Sequence, residues 1–453
     1  MSALSIVAAA AEAPDADALC VAGDVLCFAE LAERVEAMPQ LSPTAGPCVV
    51  LTPRLDLESV CAVLACLERG LPMLLVHPRF TAPERERALT EVTKAWAGRP
   101  AFGGSGRDAS STLAVVFTSG TSAAPRAAVL SRGAFQAAAQ ASAANLSWEA
   151  RDRWLLSMPP AHVGGLSILI RCLFARRAVV LADSERFDPA GCARQLERDG
   201  VTLLSLVPTM LRRLLDHDAG WSPPASLRAV LVGGAASSEE LRVRAVERGL
   251  PILTTYGMTE TCAQLATQSY ASRGRVREGV GPALPGVRLR TRAGRIEVSG
   301  PSLMDGYLGV SAQPFTEDGW LRTGDLGRID GEGWLHVEGR ADDVIISGGE
   351  NVSPREVEQA LLALPGVRAA AVFGRADERW GERVCAALVL AAPQPDLGSL
   401  WPLLRDKLAA HKLPRHVVVP DALPSTAKGD VDRSRSARLA TEAGLEPWPS
   451  SSP

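Results

Sequence analysis

Small hydroxyl residues and glycine follow directly on an apolar run in the first third of the chain. Residues 113–117 are rich in β-branched and aromatic side chains, which is typical of a buried strand. The residues that come next offer hydroxyl groups and unobstructed backbone N–H groups: Thr118, Ser119, Gly120, Thr121 and Ser122. Such a loop at the carboxyl end of a strand favours a bound phosphate. It is not a Walker A sequence, and from these residues alone an ordinary strand-to-helix turn is an equally good interpretation.

The composition narrows the class of protein. A chain of 453 residues is too long for one ordinary core, so two or three domains are expected. A hydrophobic content of 47%, a charged content of 22% and a net charge of -3 are typical of a soluble globular enzyme and give no reason to expect nucleic acid or a membrane as partner. The nine cysteines are scattered and include no C-x-x-C pair, which predicts reduced thiols and a cytoplasmic location.

The order of the apolar and polar segments predicts an α/β protein. Strand-like runs, such as residues 178–181 and 229–232, alternate with helix-like runs, such as residues 57–69, as in the mostly parallel sheets of βα subdomains. Short strands with glycine-rich turns follow residue 282 as a small β subdomain. A charged turn near residue 342 then separates this large N-terminal domain, residues 1–341, from a small mobile α+β C-terminal domain, residues 342–440. Residues 441–453 are expected to be a disordered tail.

Four further segments follow the hydroxyl loop in a fixed order. They are Gly233-Gly234-Ala235, Tyr256-Gly257-Met258-Thr259-Glu260, Thr323-Gly324-Asp325, and residues 339–351, which begin Gly339-Arg340-Ala341-Asp342-Asp343. With the hydroxyl loop they resemble the superfamily of acyl- and aryl-CoA synthetases, peptide-synthetase adenylation domains and luciferases, over roughly residues 20–435. Residues 158–167 and 251–261, with the short overall length, are most similar to the 2-succinylbenzoate–CoA ligases of menaquinone biosynthesis. The resemblance implies an acid–thiol ligase that uses ATP, Mg²⁺ and coenzyme A.

The resemblance also assigns roles around the triphosphate. Thr118, Ser119, Gly120, Thr121 and Ser122 would bind the β- and γ-phosphates, helped by Arg126 where the family usually has lysine. Glu260 would bind Mg²⁺ and Thr259 would contact the α-phosphate. The alternative interpretation, from the local sequence alone, is that Arg126 is an exposed cation of a loop and Glu260 a residue in the first turn of a helix.

Other residues would bind the nucleoside, the acid and coenzyme A. The adenine site would contain Tyr256, Gly257, Gly233, Gly234 and Ala235, although a tyrosine at the end of a strand can also be a core residue. Asp325 would accept hydrogen bonds from both ribose hydroxyls, assisted by Arg340, although an isolated Thr-Gly-Asp is often only a turn. His162, before a glycine pair, would lie beside the carboxylate and ring of an aryl acid, whereas a lone histidine is more often structural. Asp342 would be the hinge of the small domain, and Gly348 and Gly349 would let the pantetheine chain of coenzyme A pass close to the backbone.

One segment departs from the family pattern. The lysine that normally enters the adenylation site is replaced by Asp430, and Lys428 lies two residues earlier, within reach if the loop is shifted. Three interpretations follow: an active 2-succinylbenzoate–CoA ligase with Lys428 as the catalytic lysine, an adenylating enzyme for another acid or for loading a carrier protein, or a non-catalytic nucleotide-binding protein. The partners implied are small molecules, namely an aryl acid, ATP and coenzyme A, and a homodimer is compatible with the resemblance.

Overall fold

The structure is a computed structural model that describes residues 4–78, 80–97, 106–118, 126–311, 313–347, 350–377, 380–425 and 431–448. Within these ranges the α-helices are α1 (Ile6–Glu12), α2 (Phe28–Glu36), α3 (Leu57–Arg69), α4 (Ala82–Ala97), α5 (Arg132–Leu146), α6 (Val163–Ala175), α7 (Pro189–Arg198), α8 (Pro208–Asp216), α9 (Glu239–Glu247), α10 (Pro354–Leu362), α11 (Leu397–Arg405) and α12 (Arg433–Ala443).

The strands of the large domain form three sheets. The first twelve are β1 (Asp17–Val21), β2 (Asp24–Cys27), β3 (Val49–Leu51), β4 (Met73–Leu75), β5 (Thr112–Thr118), β6 (Arg126–Ser131), β7 (Arg153–Leu156), β8 (Ala178–Leu181), β9 (Leu203–Leu206), β10 (Ala229–Val232), β11 (Ile252–Met258) and β12 (Ala263–Thr267). The next five are β13 (Arg288–Arg292), β14 (Arg295–Ser299), β15 (Gly306–Tyr307), β16 (Leu321–Ile329) and β17 (Leu335–Arg340). Eight strands follow the order β12-β11-β10-β9-β7-β8-β1-β2, five the order β15-β6-β5-β4-β3, and four the order β13-β14-β16-β17.

The two larger sheets share one hydrophobic core. Residues of β3 to β6 and of β7 to β11 belong to the same buried cluster, together with helices α3, α5 and α6 that lie between them. Strands β7 to β11 pair in parallel, so their carboxyl ends reach one edge of the sheet. In an α/β sheet the crevice at this edge is the usual place for a ligand.

The small domain has a sheet and a core of its own. Its strands are β18 (Ile345–Ser347), β19 (Glu350–Val352), β20 (Val367–Asp377), β21 (Gly381–Leu390), β22 (His416–Val418) and β23 (Glu446–Pro447). The buried cluster of this domain runs from Ile345 to Trp448 and includes no residue of the large domain. The buried cluster changes between residues 335 and 345, while the exact domain bounds and the hinge at Asp342 stay predictions.

Several predicted elements are found and two expectations are wrong. The helix over 57–69 has the predicted bounds, with Asp56 capping it by accepting from the Ser59 N–H at 2.7 Å. The hydroxyl loop is not a strand-to-helix turn, because β5 is followed by an antiparallel strand, β6. The expected disordered tail is ordered at least to Trp448: β23 pairs with β22, and the Trp448 indole is 3% exposed and donates to the Leu397 carbonyl at 3.0 Å. Residues 449–453 lie outside the described ranges.

The cysteines are free thiols, as predicted, and eight of the nine are buried. Burial raises the pKa of Cys48 and of Cys66 to about 12, which keeps both thiols protonated. Across the described helices, none combines the length and apolar character needed to cross a bilayer.

Candidate active site

The two ends of the predicted phosphate loop lie side by side. Thr118, the last residue of β5, is paired with Arg126, the first residue of β6. The loop between them, which contains Ser119, Gly120, Thr121 and Ser122, lies outside the described residues, so its phosphate contacts stay a prediction. The pairing places a hydroxyl and a guanidinium at the base of this loop, as the resemblance implies.

A tyrosine connects the base of this loop to the predicted metal ligand. Strand β15 pairs with β6, and the register places Tyr307 opposite Ala128, two residues after Arg126. The Tyr307 hydroxyl donates to Oε1 of Glu260 at 2.5 Å, and the Arg126 guanidinium carbon lies 5.4 Å from the centre of the Tyr307 ring. Burial and the nearby Glu260 carboxylate raise the pKa of Tyr307, so the hydroxyl stays a donor. The structure therefore brings Glu260 and Arg126 together through Tyr307, a residue that the sequence analysis missed.

The backbone around Glu260 is a short 3₁₀ turn, Thr259–Thr261, and not the first turn of an α-helix. The carbonyl of Glu260 accepts from the Met304 N–H at 2.8 Å, which fixes the turn against the segment that leads into β15. In the part of the chain that the structure describes, no three His, Cys, Asp or Glu residues are grouped as a metal site. One carboxylate nevertheless fits Mg²⁺ as it binds to nucleotides, because substrate phosphates then supply other oxygen ligands.

A second cluster joins three of the predicted nucleoside-binding residues. The Tyr256 hydroxyl donates to Oδ2 of Asp325 at 2.6 Å, and Nη1 of Arg340 lies 3.6 Å from Oδ1. Asp325 is opposite Arg340 in the register of β16 and β17, and only 9% of it is exposed. Burial, followed by the Asp325 charge, raises the pKa of Tyr256 well above its usual range. Tyr256 is thus a polar partner of the predicted ribose carboxylate and not only a core residue at the end of a strand.

Glycines allow the backbone around this cluster to pack closely. A Cβ on Gly324 would lie 2.5 Å from Nη2 of Arg340, and one on Gly233 would lie 2.7 Å from the Thr255 carbonyl oxygen. Gly257 lies even closer to its neighbour, since a Cβ there would be 1.6 Å from the Ala263 carbonyl oxygen. Gly234 has φ +80, a conformation that favours glycine. Gly233, Gly234 and the exposed Ala235 therefore follow β10 directly beside β11, which contains Tyr256.

His162 lies between β7 and α6, immediately before the helix. The glycine pair after it belongs to the first turn of this helix, and a Cβ on Gly165 would be 2.4 Å from the Pro159 carbonyl oxygen. The ring of His77, which follows β4 and is 9% exposed, has its centre 4.5 Å from that of His162. His77 was not predicted as a site residue, because its contact with His162 joins two distant segments. The apolar residues before it gave no sign of this pairing.

Besides loop residues 119–122, four further predicted positions lie outside the described residues. They are Lys428, Asp430 at the position of the family's lysine, Gly348 and Gly349. The backbone of Asp342 is part of a short 3₁₀ turn, Ala341–Asp343, at the start of the small domain. The roles of these residues stay predictions.

Comparison with known proteins gives consistent matches along the chain. Residues 99–308 match the family model described as AMP-binding enzyme, and residues 356–430 match the AMP-binding enzyme C-terminal domain. The 2-succinylbenzoate–CoA ligase of Bacillus cereus is 31% identical over 434 residues, which are 90% of this chain and 86% of that protein.

Solved structures of one relative match this chain as well, to different degrees. The o-succinylbenzoate coenzyme A synthetase of Bacillus subtilis in complex with ATP and magnesium ion is 30% identical, with a TM-score of 0.84 over 95% of this chain and 98% of that one. A double mutant of the same enzyme, bound with its product analogue OSB-NCoA, is 30% identical and has a TM-score of 0.68 over 98% of each chain. The identity of 31% to a curated ligase over nine-tenths of the sequence, and the two matched domains in the expected order, show that this chain belongs to the AMP-binding, adenylate-forming enzyme family, among the 2-succinylbenzoate–CoA ligases.

Proposed function

We propose that this protein is an ATP-dependent ligase that converts 2-succinylbenzoate into its coenzyme A thioester, with AMP and pyrophosphate as the other products. The observation that supports this proposal most is that the structure contains two polar clusters. One, Tyr256–Asp325–Arg340, is suited to a ribose. The other, Arg126–Tyr307–Glu260, lies at the base of the predicted phosphate loop. A nucleotide with its metal requires these two kinds of group together.

The described side chains suggest how the first half of the reaction proceeds. Asp325 accepts hydrogen bonds, so it would fix the ribose through its hydroxyls, while Glu260 would bind the magnesium ion that accompanies the phosphates. Arg126 would balance negative charge as the acid's carboxylate attacks the α-phosphate and pyrophosphate leaves. Thr259, next to Glu260, would contact the α-phosphate. His162 and His77 would line the place of the acid.

The second half requires a thiol to reach the adenylate. We assign this step to a rotation of the small domain about Asp342, with Gly348 and Gly349 next to the pantetheine chain. A role in menaquinone biosynthesis, a cytoplasmic location and a homodimer belong to the same proposal, and sedimentation of the purified protein would test the last of these.

The decisive experiment is a pyrophosphate-release assay with ATP, Mg²⁺ and coenzyme A over a panel of aryl acids. We expect 2-succinylbenzoate to give the highest kcat/KM, and Glu260→Gln to lose most of this activity because it removes the carboxylate available to the metal. Glu247→Gln, at an exposed position on α9, is the matched control and should retain the activity of the unmodified protein. Preference for another acid would favour the second interpretation.

One observation favours a different function. Asp430 occupies the position of the family's catalytic lysine, which is the pattern expected of a protein that binds nucleotide without activating an acid. ATP binding without pyrophosphate release from any acid, together with recovery of release in Asp430→Lys, would establish this alternative.

A further inference from the structure

Arg355 of the small domain lies beside the ribose cluster (Tyr256, Asp325 and Arg340), and its buried Nε has no acceptor among the described residues. Arg355 lies in the first turn of α10, the helix that packs against β17 of the large domain. Neither the family resemblance nor the comparisons assign it a role.

The contact between α10 and β17 is close and specific. The Ser353 hydroxyl donates to the Glu338 carbonyl at 2.8 Å, which anchors the residue before the helix to the large domain. A Cβ added to Gly339 would lie 2.9 Å from the Ser353 Oγ and 4.0 Å from the Arg355 Cβ, so this glycine admits the start of the helix. Gly339 pairs with Leu326, directly next to the Asp325–Arg340 pair. The base of the Arg355 side chain therefore lies at the edge of the ribose cluster.

Two carboxylates of the small domain, Glu358 on α10 and Asp343 before it, already have another partner. Arg433 donates to both oxygens of Glu358 at 2.6 Å and to Asp343 at 2.8 Å. Nε of Arg355 is buried and has no acceptor among the described residues. Burial and the charge of Arg433 lower the pKa of Arg355, whereas Asp325 and Glu358 act in the opposite direction. A buried guanidinium donor without an acceptor is costly, and an oxygen-rich ligand at this place would satisfy it.

We propose that Arg355 is a nucleotide-binding residue that the small domain contributes, donating hydrogen bonds to oxygens of the ribose–phosphate part of ATP beside Asp325. It would thereby add a positive charge from the small domain, in a chain whose usual family lysine is replaced by Asp430. The inference rests on the proposed use of ATP and not on the identity of the acid.

The arrangement of the two domains determines when this contact exists. The whole chain is more similar to the ATP and magnesium complex of the Bacillus subtilis relative than to the product-analogue complex of its double mutant. Arg355 belongs to the small domain and Asp325 to the large one. If the small domain rotates for thioester formation, Arg355 leaves the nucleotide, and its effect is confined to ATP binding and adenylation.

The test compares Arg355→Gln and Arg355→Lys with Arg405→Gln, a matched change at an exposed position of the small domain. Affinity for Mg·ATP is measured by calorimetry without any acid, and adenylation by pyrophosphate release. We expect Arg355→Gln to weaken ATP binding and raise the KM for ATP about 10- to 100-fold, because hydrogen bonds between charged groups are lost. Arg355→Lys should recover part of this loss, and Arg405→Gln should show none.

The thioester step separates a nucleotide contact from a structural role. With acyl-adenylate supplied, Arg355→Gln should form thioester at the rate of the unmodified protein. An unchanged affinity for ATP in Arg355→Gln, or an equal loss in both half-reactions, would overturn the proposal. If the unmodified protein binds ATP but does not activate 2-succinylbenzoate, the substrate assignment fails while the binding measurement still decides the role of Arg355. Absence of nucleotide binding would refute both.

Discussion

Replacing Asp325 by asparagine tests the assignment of the ribose site, because the change removes the charge and keeps the shape. The amide oxygen can still accept from the Tyr256 hydroxyl, now 2.6 Å from Oδ2, and the amide NH₂ then faces Arg340. Since 40% of the Arg340 side chain is exposed, this guanidinium can turn towards solvent. We therefore expect Asp325→Asn to fold.

The magnitude follows from the hydrogen bonds that the carboxylate would accept. A hydrogen bond to a charged group contributes about 1.5–3 kcal/mol and one between neutral groups about 0.5–1.5, so each ribose hydroxyl loses about 1 kcal/mol. Two hydroxyls lose about 2 kcal/mol, which corresponds to a roughly 30-fold rise in the KM for ATP. The maximal rate should change little, because the ribose is bound equally in the ground and transition states.

Initial rates of pyrophosphate release over a range of ATP concentrations measure both quantities. Asp330→Asn is the control: Asp330 belongs to the turn between β16 and β17, outside the Tyr256–Asp325–Arg340 cluster, and accepts from the Trp334 N–H at 2.9 Å. It should leave the KM for ATP unchanged. A large fall in maximal rate for Asp325→Asn, with an unchanged KM, would refute the ribose assignment.

Three further changes address other parts of the site. Tyr307→Phe removes the hydroxyl that donates to Glu260, so the Mg²⁺ concentration for half-maximal pyrophosphate release should rise about 10-fold. An unchanged Mg²⁺ dependence would contradict a role of Tyr307 in orienting the metal ligand. His77→Phe keeps a ring beside His162 and should raise the KM for the acid but not for ATP, and the reverse pattern would exclude both histidines from the acid site. Lys428→Ala should slow adenylation by about two to three orders of magnitude while thioester formation from supplied adenylate is retained, and normal adenylation would show that Lys428 is not the catalytic lysine.

The sequence predicted the local elements well because each helix and strand leaves its own periodic pattern. The helix over residues 57–69 and the strands over 178–181 and 229–232 have the predicted bounds. The hydroxyl loop was recognised, but the antiparallel strand β6 after it was not, since alanines and arginine at 126–128 give no strand pattern.

The long-range contacts that connect the site could not be predicted from the sequence. Tyr307 reaches Glu260 only because β15 pairs with β6, and Arg355 lies at the edge of the ribose cluster only because α10 packs on β17. Both depend on long-range pairing, which no local pattern contains. The tail was misjudged for the same reason: its proline and serine content is typical of disorder, yet Trp448 packs against Trp401 with ring centres 5.3 Å apart.

The products formed from 2-succinylbenzoate, ATP and coenzyme A test the central claim most directly. Purified protein with Mg²⁺ should form 2-succinylbenzoyl-CoA and AMP in equal amounts, as measured by mass spectrometry and nucleotide chromatography, with no thioester when ATP is omitted. Formation of ADP in place of AMP, or binding of ATP with no thioester from this acid, would contradict the claim that this chain is a 2-succinylbenzoate–CoA ligase.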